Sequence, residues 1–176
     1  IELIELDFII GEDFIITNHK DEIESYTYLK NDLYKIENLF EKGNEFIFHK
    51  LLDNEIDNFL PILEYLDDEI EKIEDEVIKK PKQKLLKNIL KLRRAITHIK
   101  KITLPQREKI SFITKNEYKF ISKKALPYFR DIYDHSIRVS DNIDNYREHI
   151  GNTFDAYMLA VSNKTNEVMK VLRWEL

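Results

Sequence analysis

The chain has no cysteine, three glycines and four prolines among 176 residues. Without cysteine there is no disulfide framework, no thiolate zinc site and no thiol nucleophile, which fits a reducing compartment. Glycine at far below the usual ~7% leaves few tight turns, so long helices are favoured over a turn-rich β architecture. No apolar run approaches the ~20 residues that a membrane helix needs, and no signal peptide precedes the first polar residues. Excess positive charge is also lacking: 28 Lys and Arg stand against 33 Asp and Glu, a net of −5. Nucleic acid is therefore not expected as a partner, since phosphate binding needs a basic surface. Phosphate loops, Gly-x-Ser-x-Gly and His-Glu-x-x-His are all missing. The five histidines, His19, His49, His98, His135 and His149, have no metal-triad spacing. An enzyme is therefore not expected. The sequence opens on Ile1-Glu2-Leu3 without methionine, so a piece of something longer is expected.

What the chain does have is charge, at 35% of residues, and enough apolar content, at 43%, to bury a core. The length suits one domain. Ile4, Leu6 and Phe8 alternate with Glu5 and Asp7, and Gly11-Glu12-Asp13 separates this run from Phe14-Ile15-Ile16-Thr17. That pattern predicts a β-hairpin at the end of a sheet. Helical spacing follows from about Asp21 to Glu41, with Gly43 placed as a helix stop.

From Asn44, a good N-cap, the apolar residues Leu52, Ile56, Phe59, Leu63, Leu66, Ile70, Ile73 and Val77 step alternately by four and three. This is the stripe of a long helix packed along its length, with a kink expected at Pro61 and an end at Lys79-Lys80-Pro81. Leu85, Ile89, Leu92, Ile96 and Ile99 repeat the stripe, which predicts an antiparallel helical hairpin turning at Pro81. Eight acids between Glu64 and Glu76 would face eight basic residues between Lys82 and Lys101, although exposed pairs contribute only about 0–1 kcal/mol each. The acidic run lacks the glycine and ligand spacing of a calcium loop, and a solvated helix face accounts for it. Pro105 should interrupt the second arm. Pro127 should open a last helix in which Phe129, Ile132, Ser136, Val139, Ile143, Tyr146, Ile150, Thr153, Tyr157 and Ala160 alternate steps of three and four. A helix from Pro127 to Leu172 would be about 69 Å long at ~1.5 Å per residue, and its seam calls for cover from other copies or another chain.

Tyr128-Phe129-Arg130-Asp131-Ile132-Tyr133-Asp134-His135, followed by Ser162-Asn163-Lys164-Thr165-Asn166-Glu167-Val168-Met169-Lys170-Val171-Leu172, resembles the stalk helix of the CorA family of magnesium and cobalt transport proteins. Leu104-Pro105-Gln106-Arg107-Glu108 matches the element before that stalk, and Leu66-Asp67-Asp68-Glu69-Ile70 matches the lateral helices. The resemblance implies an α+β, mainly α fold: residues 1–43 as the remnant of an N-terminal α/β subdomain, 44–120 as the helical hairpin and 121–172 as the stalk. Residues 173–176 would be a tail or scar where the family's first membrane helix begins, so the membrane helices and their Gly-Met-Asn signature are absent. It further implies a cytosolic Mg2+-sensing and gating domain of a homopentameric channel of the cell membrane, on its cytoplasmic side, with Mg2+ as the ion and Co2+ as a second.

By the same match, Asp131 and Asp53 are regulatory metal ligands in sites between neighbouring subunits, where Mg2+ bridges one subunit to the next, while other family carboxylates lie upstream of Ile1. Magnesium suits such sparse carboxylates because it prefers oxygen and retains much of its water. The plain structural account of Asp131 is a first-turn acid complementing the helix dipole, and of Asp53 a solvated helix surface. Asp131 and His135, at i and i+4, could also chelate a transition ion such as cobalt. Asn166, Met169 and Leu172 share a helix face, and the resemblance makes them pore-lining in the whole transporter, with Asp155 as an acidic position at the pore end. Their alternative is a coiled-coil core with one buried Asn. Two other functions stay open: a helical scaffold domain without metal, and the equivalent domain of a zinc-transporting relative.

Overall fold

The computed structural model describes residues 4–23, 26, 27, 29, 31, 33–79, 81–115 and 118–174. Two strands, β1 (Leu6–Ile10) and β2 (Ile15–His19), precede five helices: α1 (Leu33–Lys42), α2 (Asn44–Asp57), α3 (Leu60–Lys79), α4 (Gln83–Lys115) and α5 (Leu126–Trp174). The class is α+β, mainly α, as expected. Among the described residues no helix is long and apolar enough to cross a membrane.

The chain divides into two compact units, and α4 and α5 contribute to both. The first comprises the described residues of Ile1–Phe59 with Gln106–Ile137. Its strands pair antiparallel, Leu6 opposite His19 and Ile10 opposite Ile15, and the Gly11 amide donates to the Phe14 carbonyl at 2.9 Å to close the loop. The inner hairpin face carries Phe8 and Ile15, which pack with Leu29, Ile47 and Leu51. The helix expected from about Asp21 starts later: Asp21, Glu22 and Ile23 are not helical, Tyr26, Thr27 and Leu29 are, Asn31 is in a turn and α1 follows, while residues 24, 25, 28, 30 and 32 lie outside the described residues.

Gly43 does end α1, with φ 128° and ψ 153°, a backbone region open essentially to glycine alone. A β-carbon there would also lie 2.4 Å from the Glu45 carboxylate. Gly43→Ala is expected to cost about 1–3 kcal/mol, measured as a lowered urea midpoint with unchanged slope. Asn44 does not cap its own helix. Its side-chain amide donates to the carbonyls of Gly11 (3.3 Å) and Glu12 (3.0 Å), tying the hairpin loop to the start of α2.

The second unit comprises Leu60–Pro105 and Arg138–Leu176. Leu63, Leu66, Ile70, Ile73 and Val77 of α3, Leu85, Ile89, Leu92, Ile96 and Ile99 of α4, and Val139, Ile143, Ile150 and Tyr157 of α5 are all buried. Tyr146 lies beside Asp67 and Glu64, and Thr153 meets Glu74 a matching seven positions further along both helices, so α3 and α5 run parallel here. The Thr153 hydroxyl is 2.8 Å from both the Glu74 carboxylate and the His149 carbonyl, so its one proton serves them in turn. Burial raises the Tyr146 phenol above its usual range, and those two carboxylates add to the rise.

Five details depart from expectation. The stripe is divided rather than kinked: α2 ends at Asp57 and α3 resumes at Leu60, which puts Pro61 in a first turn, where its missing N–H costs nothing. In α2 the buried face is Ile47, Phe48, Leu51 and Ile56, while Leu52 is only half-buried. Pro105 does not interrupt α4, which continues through it to Lys115, held by buried Ile99, Thr103 and Ile110 on either side. The opposite-sign arms are not what the described ion pairs join. Lys72–Glu69 (2.9 Å) and Lys79–Asp75 (3.1 Å) lie within α3, and Lys100 of α4 pairs with Asp144 of α5. Arg173 and Trp174, placed in a separate tail by the sequence, continue α5; Glu175 and Leu176 lie outside the described residues.

Candidate metal centre

Within the first unit a ladder of rings joins β1, α2 and the start of α5. Phe8 meets Phe48 at 4.9 Å between centroids, Phe48 meets Phe129 at 5.6 Å, and His49 meets Phe129 at 5.7 Å and Tyr128 at 5.5 Å. Phe129 and Ile132 are wholly buried. Burial holds the His49 imidazole below its usual range; Asp53, a hydrogen bond to the Tyr128 backbone and Asp131 act the other way. This packing fixes the register between α2 and α5, and with it the polar residues one turn further on.

Those residues are Asp53 and Asp57 on α2, and Asp131 and His135 on α5, an i,i+4 pair on each helix. One ligand atom from each of Asp53, Asp57 and His135 lies within 4.8 Å of the others. The two nitrogens of His135 point at different carboxylates: Nδ1 is 3.9 Å from Asp57 Oδ1, and Nε2 is 3.8 Å from Asp131 Oδ1. Asp53 is half-buried and paired with Lys50 at 2.9 Å, so a cation must displace that ammonium from its carboxylate. Asp131 is exposed at the sixth residue of α5. A charge that far along lies past the first turn, so the helix dipole accounts for little of its placement.

Of the two expected metal residues, Asp53 belongs to the group with Asp57 and His135, and Asp131 lies outside it, next to His135. Asp57 was not singled out from the sequence, although its spacing from Asp53 repeats that of Asp131 and His135. Asp155, Asn166, Met169 and Leu172 lie on α5 in the second unit and are exposed, Met169 at 62% and Leu172 at 50%. Every residue from Ser162 to Arg173 is exposed, so the seam that is buried up to Tyr157 emerges uncovered.

Three carboxylates against one ammonium give the cluster a net attraction for cations. The Asp57 Oδ1 and His135 Nδ1 atoms, 3.9 Å apart, stand wider than the about 3–3.4 Å between neighbouring ligands that bind one ion directly at ~2.1 Å. Such spacing suits an ion that keeps part of its water shell, as Mg2+ does.

A family model described as CorA-like Mg2+ transporter protein matches residues 1–172. The cobalt/magnesium transport protein CorA of Thermotoga maritima is 36% identical over 132 residues, 75% of this chain and 38% of that protein. Its namesake from Methanocaldococcus jannaschii is 24% identical over 165 residues, 93% of this chain and 52% of that protein. The chain therefore spans about half or less of these relatives. Among solved structures, the complete CorA magnesium transporter of M. jannaschii shares the fold at a TM-score of 0.77 and 22% identity, over 97% of this chain and 59% of that one.

Proposed function

The chain belongs to the CorA-like Mg2+ transporter family, and from that premise we propose that it is the cation-sensing and gating part of a divalent-cation transporter. The transporter carries Mg2+, with Co2+ as a second substrate, across the cell membrane. This segment lies on the cytoplasmic side, and its work is binding and coupling rather than bond chemistry. The observation that carries the proposal is the convergence of Asp53 and Asp57 with His135 and Asp131 at the start of the longest helix.

Asp53 and Asp131 hold a sensor Mg2+ largely through its water. The ion supplies positive charge between carboxylates that otherwise repel one another. Because α5 begins at this cluster and ends in the exposed face of Asn166, Met169 and Leu172, a change in how α5 leaves α2 is delivered to that face. In the assembled transporter, a homopentamer, the uncovered seam of α5 is closed by other copies. There Asn166 presents an amide to the hydrated ion, Met169 and Leu172 form apolar constrictions that gate by dewetting, and Asp155 adds an acidic ring at the pore end. An ion bound only by the closed arrangement stabilises it by RT ln(1 + [L]/Kd).

Two measurements test this. In the 176-residue chain, Mg2+ at 100 times its Kd should add about 2.7 kcal/mol and raise the melting temperature by about 5–10 °C. Asp131→Ala and Asp53→Ala should abolish that rise while leaving the metal-free melt nearly unchanged. In the transporter that carries this segment, Asp131→Ala should relieve inhibition of cation flux by internal Mg2+. Unaltered inhibition would remove the regulatory assignment.

A further inference from the structure

The opposite charges of α3 and α4 do not meet within the chain, and each set lies in a row on an outer face. On α4, Lys84, Lys87, Lys91, Arg94, His98 and Lys101 step alternately by three and four and are all exposed. On α3, Glu64, Asp68, Glu71 and Asp75 step by four, three and four and are all exposed as well. Like charges so spaced are neighbours on one helix face and repel one another. Asp75 meets Lys79, but among the described residues no ion pair reaches Glu64, Asp68 or Glu71, nor any lysine or arginine of the α4 row.

We infer that the basic row of α4 docks on the acidic row of α3 in a neighbouring copy of this chain, a head-to-tail contact that passes from copy to copy around the assembly. This contact presupposes the assembly of copies proposed above and adds to it a meeting place outside α5.

The register of the hairpin supports it. Arms that run antiparallel about Pro81 bring to one height residues equally far from it in sequence. The buried residues obey this: Val77 and Leu85 are each four positions away, Ile70 and Leu92 eleven, Leu63 and Ile99 eighteen. Contacts with α5 agree independently, because Lys100 pairs with Asp144 while Tyr146, two residues on, lies beside Glu64. The outer rows keep the same symmetry. Asp75 and Lys87 are each six positions from Pro81, Glu71 and Lys91 ten, Asp68 and Arg94 thirteen, and Glu64 and His98 seventeen. Rotation about an axis along the helices carries one copy onto the next without a change of height. Each acid of one copy therefore stands level with a base of the next, and the pairs along the two rows form together. Contacts between unlike faces close into a ring, whereas a self-complementary face gives a dimer. A lipid or nucleic-acid surface would occupy the basic row and leave the matched spacing of the acidic row unexplained.

The test uses the 176-residue chain and its variants. Sedimentation velocity should show association at about 20 mM salt that weakens at least about tenfold at about 0.5 M, where the Debye length falls below ~5 Å. Reversing the α4 row (Lys87→Glu, Lys91→Glu, Arg94→Glu) should weaken association at least about tenfold. Reversing the α3 row (Asp68→Lys, Glu71→Lys, Asp75→Lys) should do the same, although the first change raises the net negative charge and the second removes it. The chain carrying both reversals should regain association. Because the chain has no cysteine, an Asp68→Cys chain mixed with an Arg94→Cys chain under mild oxidation should give a disulfide between copies. Asp68→Cys mixed with Lys84→Cys, which is off level, should give far less. No association at low salt, or a folded double reversal that fails to restore it, overturns the inference. Association that survives both single reversals but is lost in the combined Met169→Ser and Leu172→Ser chain also overturns it, and assembly through α5 then stands. Binding of the α4 row to phosphatidylglycerol vesicles, with association indifferent to the α3 reversal, assigns that row to a lipid surface and overturns it too. The Mg2+ proposal is decided separately, by cation flux with Asp131→Ala. Circular-dichroism melts show which variants fold, and where a reversed chain does not, the cysteine pairs decide.

Discussion

Phe129→Ala is expected to lower stability by about 3–5 kcal/mol and to remove the cation response with it. The side chain is wholly buried and touches Phe48 and His49 of α2, so truncation leaves a cavity as well as losing transfer free energy. The loss falls on the one contact set that fixes α5 against α2. Asp131 and His135 follow Phe129 by half a turn and nearly two turns, and their approach to Asp53 and Asp57 depends on that register. Guanidinium unfolding without metal measures the first effect, and Mg2+ calorimetry at a temperature where the variant remains folded measures the second. A destabilised variant that binds Mg2+ with unchanged affinity would show that the ring positions nothing in the site. Phe129→Leu, which keeps much of the volume, should recover much of both.

The ring ladder also marks the limit of what the sequence discloses. The apolar steps of α5 were legible to within one or two residues, because a stripe with alternating steps of three and four has one helical solution. Of its ten positions from Phe129 to Ala160, all but Tyr146 and Ala160 are buried. Prolines were legible in place and not in form. Two of the three junctions in sequence between the units fall beside Pro61 and at Pro105, while the third, Ile137–Arg138, has no proline. Yet one of these prolines sits harmlessly in a first turn and the other inside a continuous helix. A proline states only that one N–H is missing; whether the helix stops depends on burial either side, which is tertiary information. The cluster was half legible. Asp53 and Asp131 were named through the family resemblance, whereas the meeting of Asp57 with His135 depends on how two helices far apart in sequence are turned towards each other. The charge runs misled in the same way: opposite signs on successive helices did not decide the described ion pairs, which are local i,i+3 and i,i+4 pairs within α3 and one pair from α4 to α5.

The last comparison sets two parts of one helix against each other. Ile143 and the Met169–Leu172 face are apolar positions on the same helix, α5, but on different stripes of it. In the folded chain Ile143 is fully buried, whereas Met169 and Leu172 are more than half and half exposed. Ile143→Ala should therefore cost about 2–5 kcal/mol, while Met169→Ser combined with Leu172→Ser should change the stability of the 176-residue chain by no more than about 0.5 kcal/mol. Urea midpoints for the three chains at one concentration decide the matter. A loss above about 1 kcal/mol for the double variant would mean that the end of α5 is already packed in solution, and its assignment to a surface awaiting other copies would fail. If the double variant is neutral in the isolated chain, the reason to keep apolar residues there lies in the assembly. Serines at those positions would then wet the constriction, so that gating in the transporter weakens while the fold of this segment is untouched.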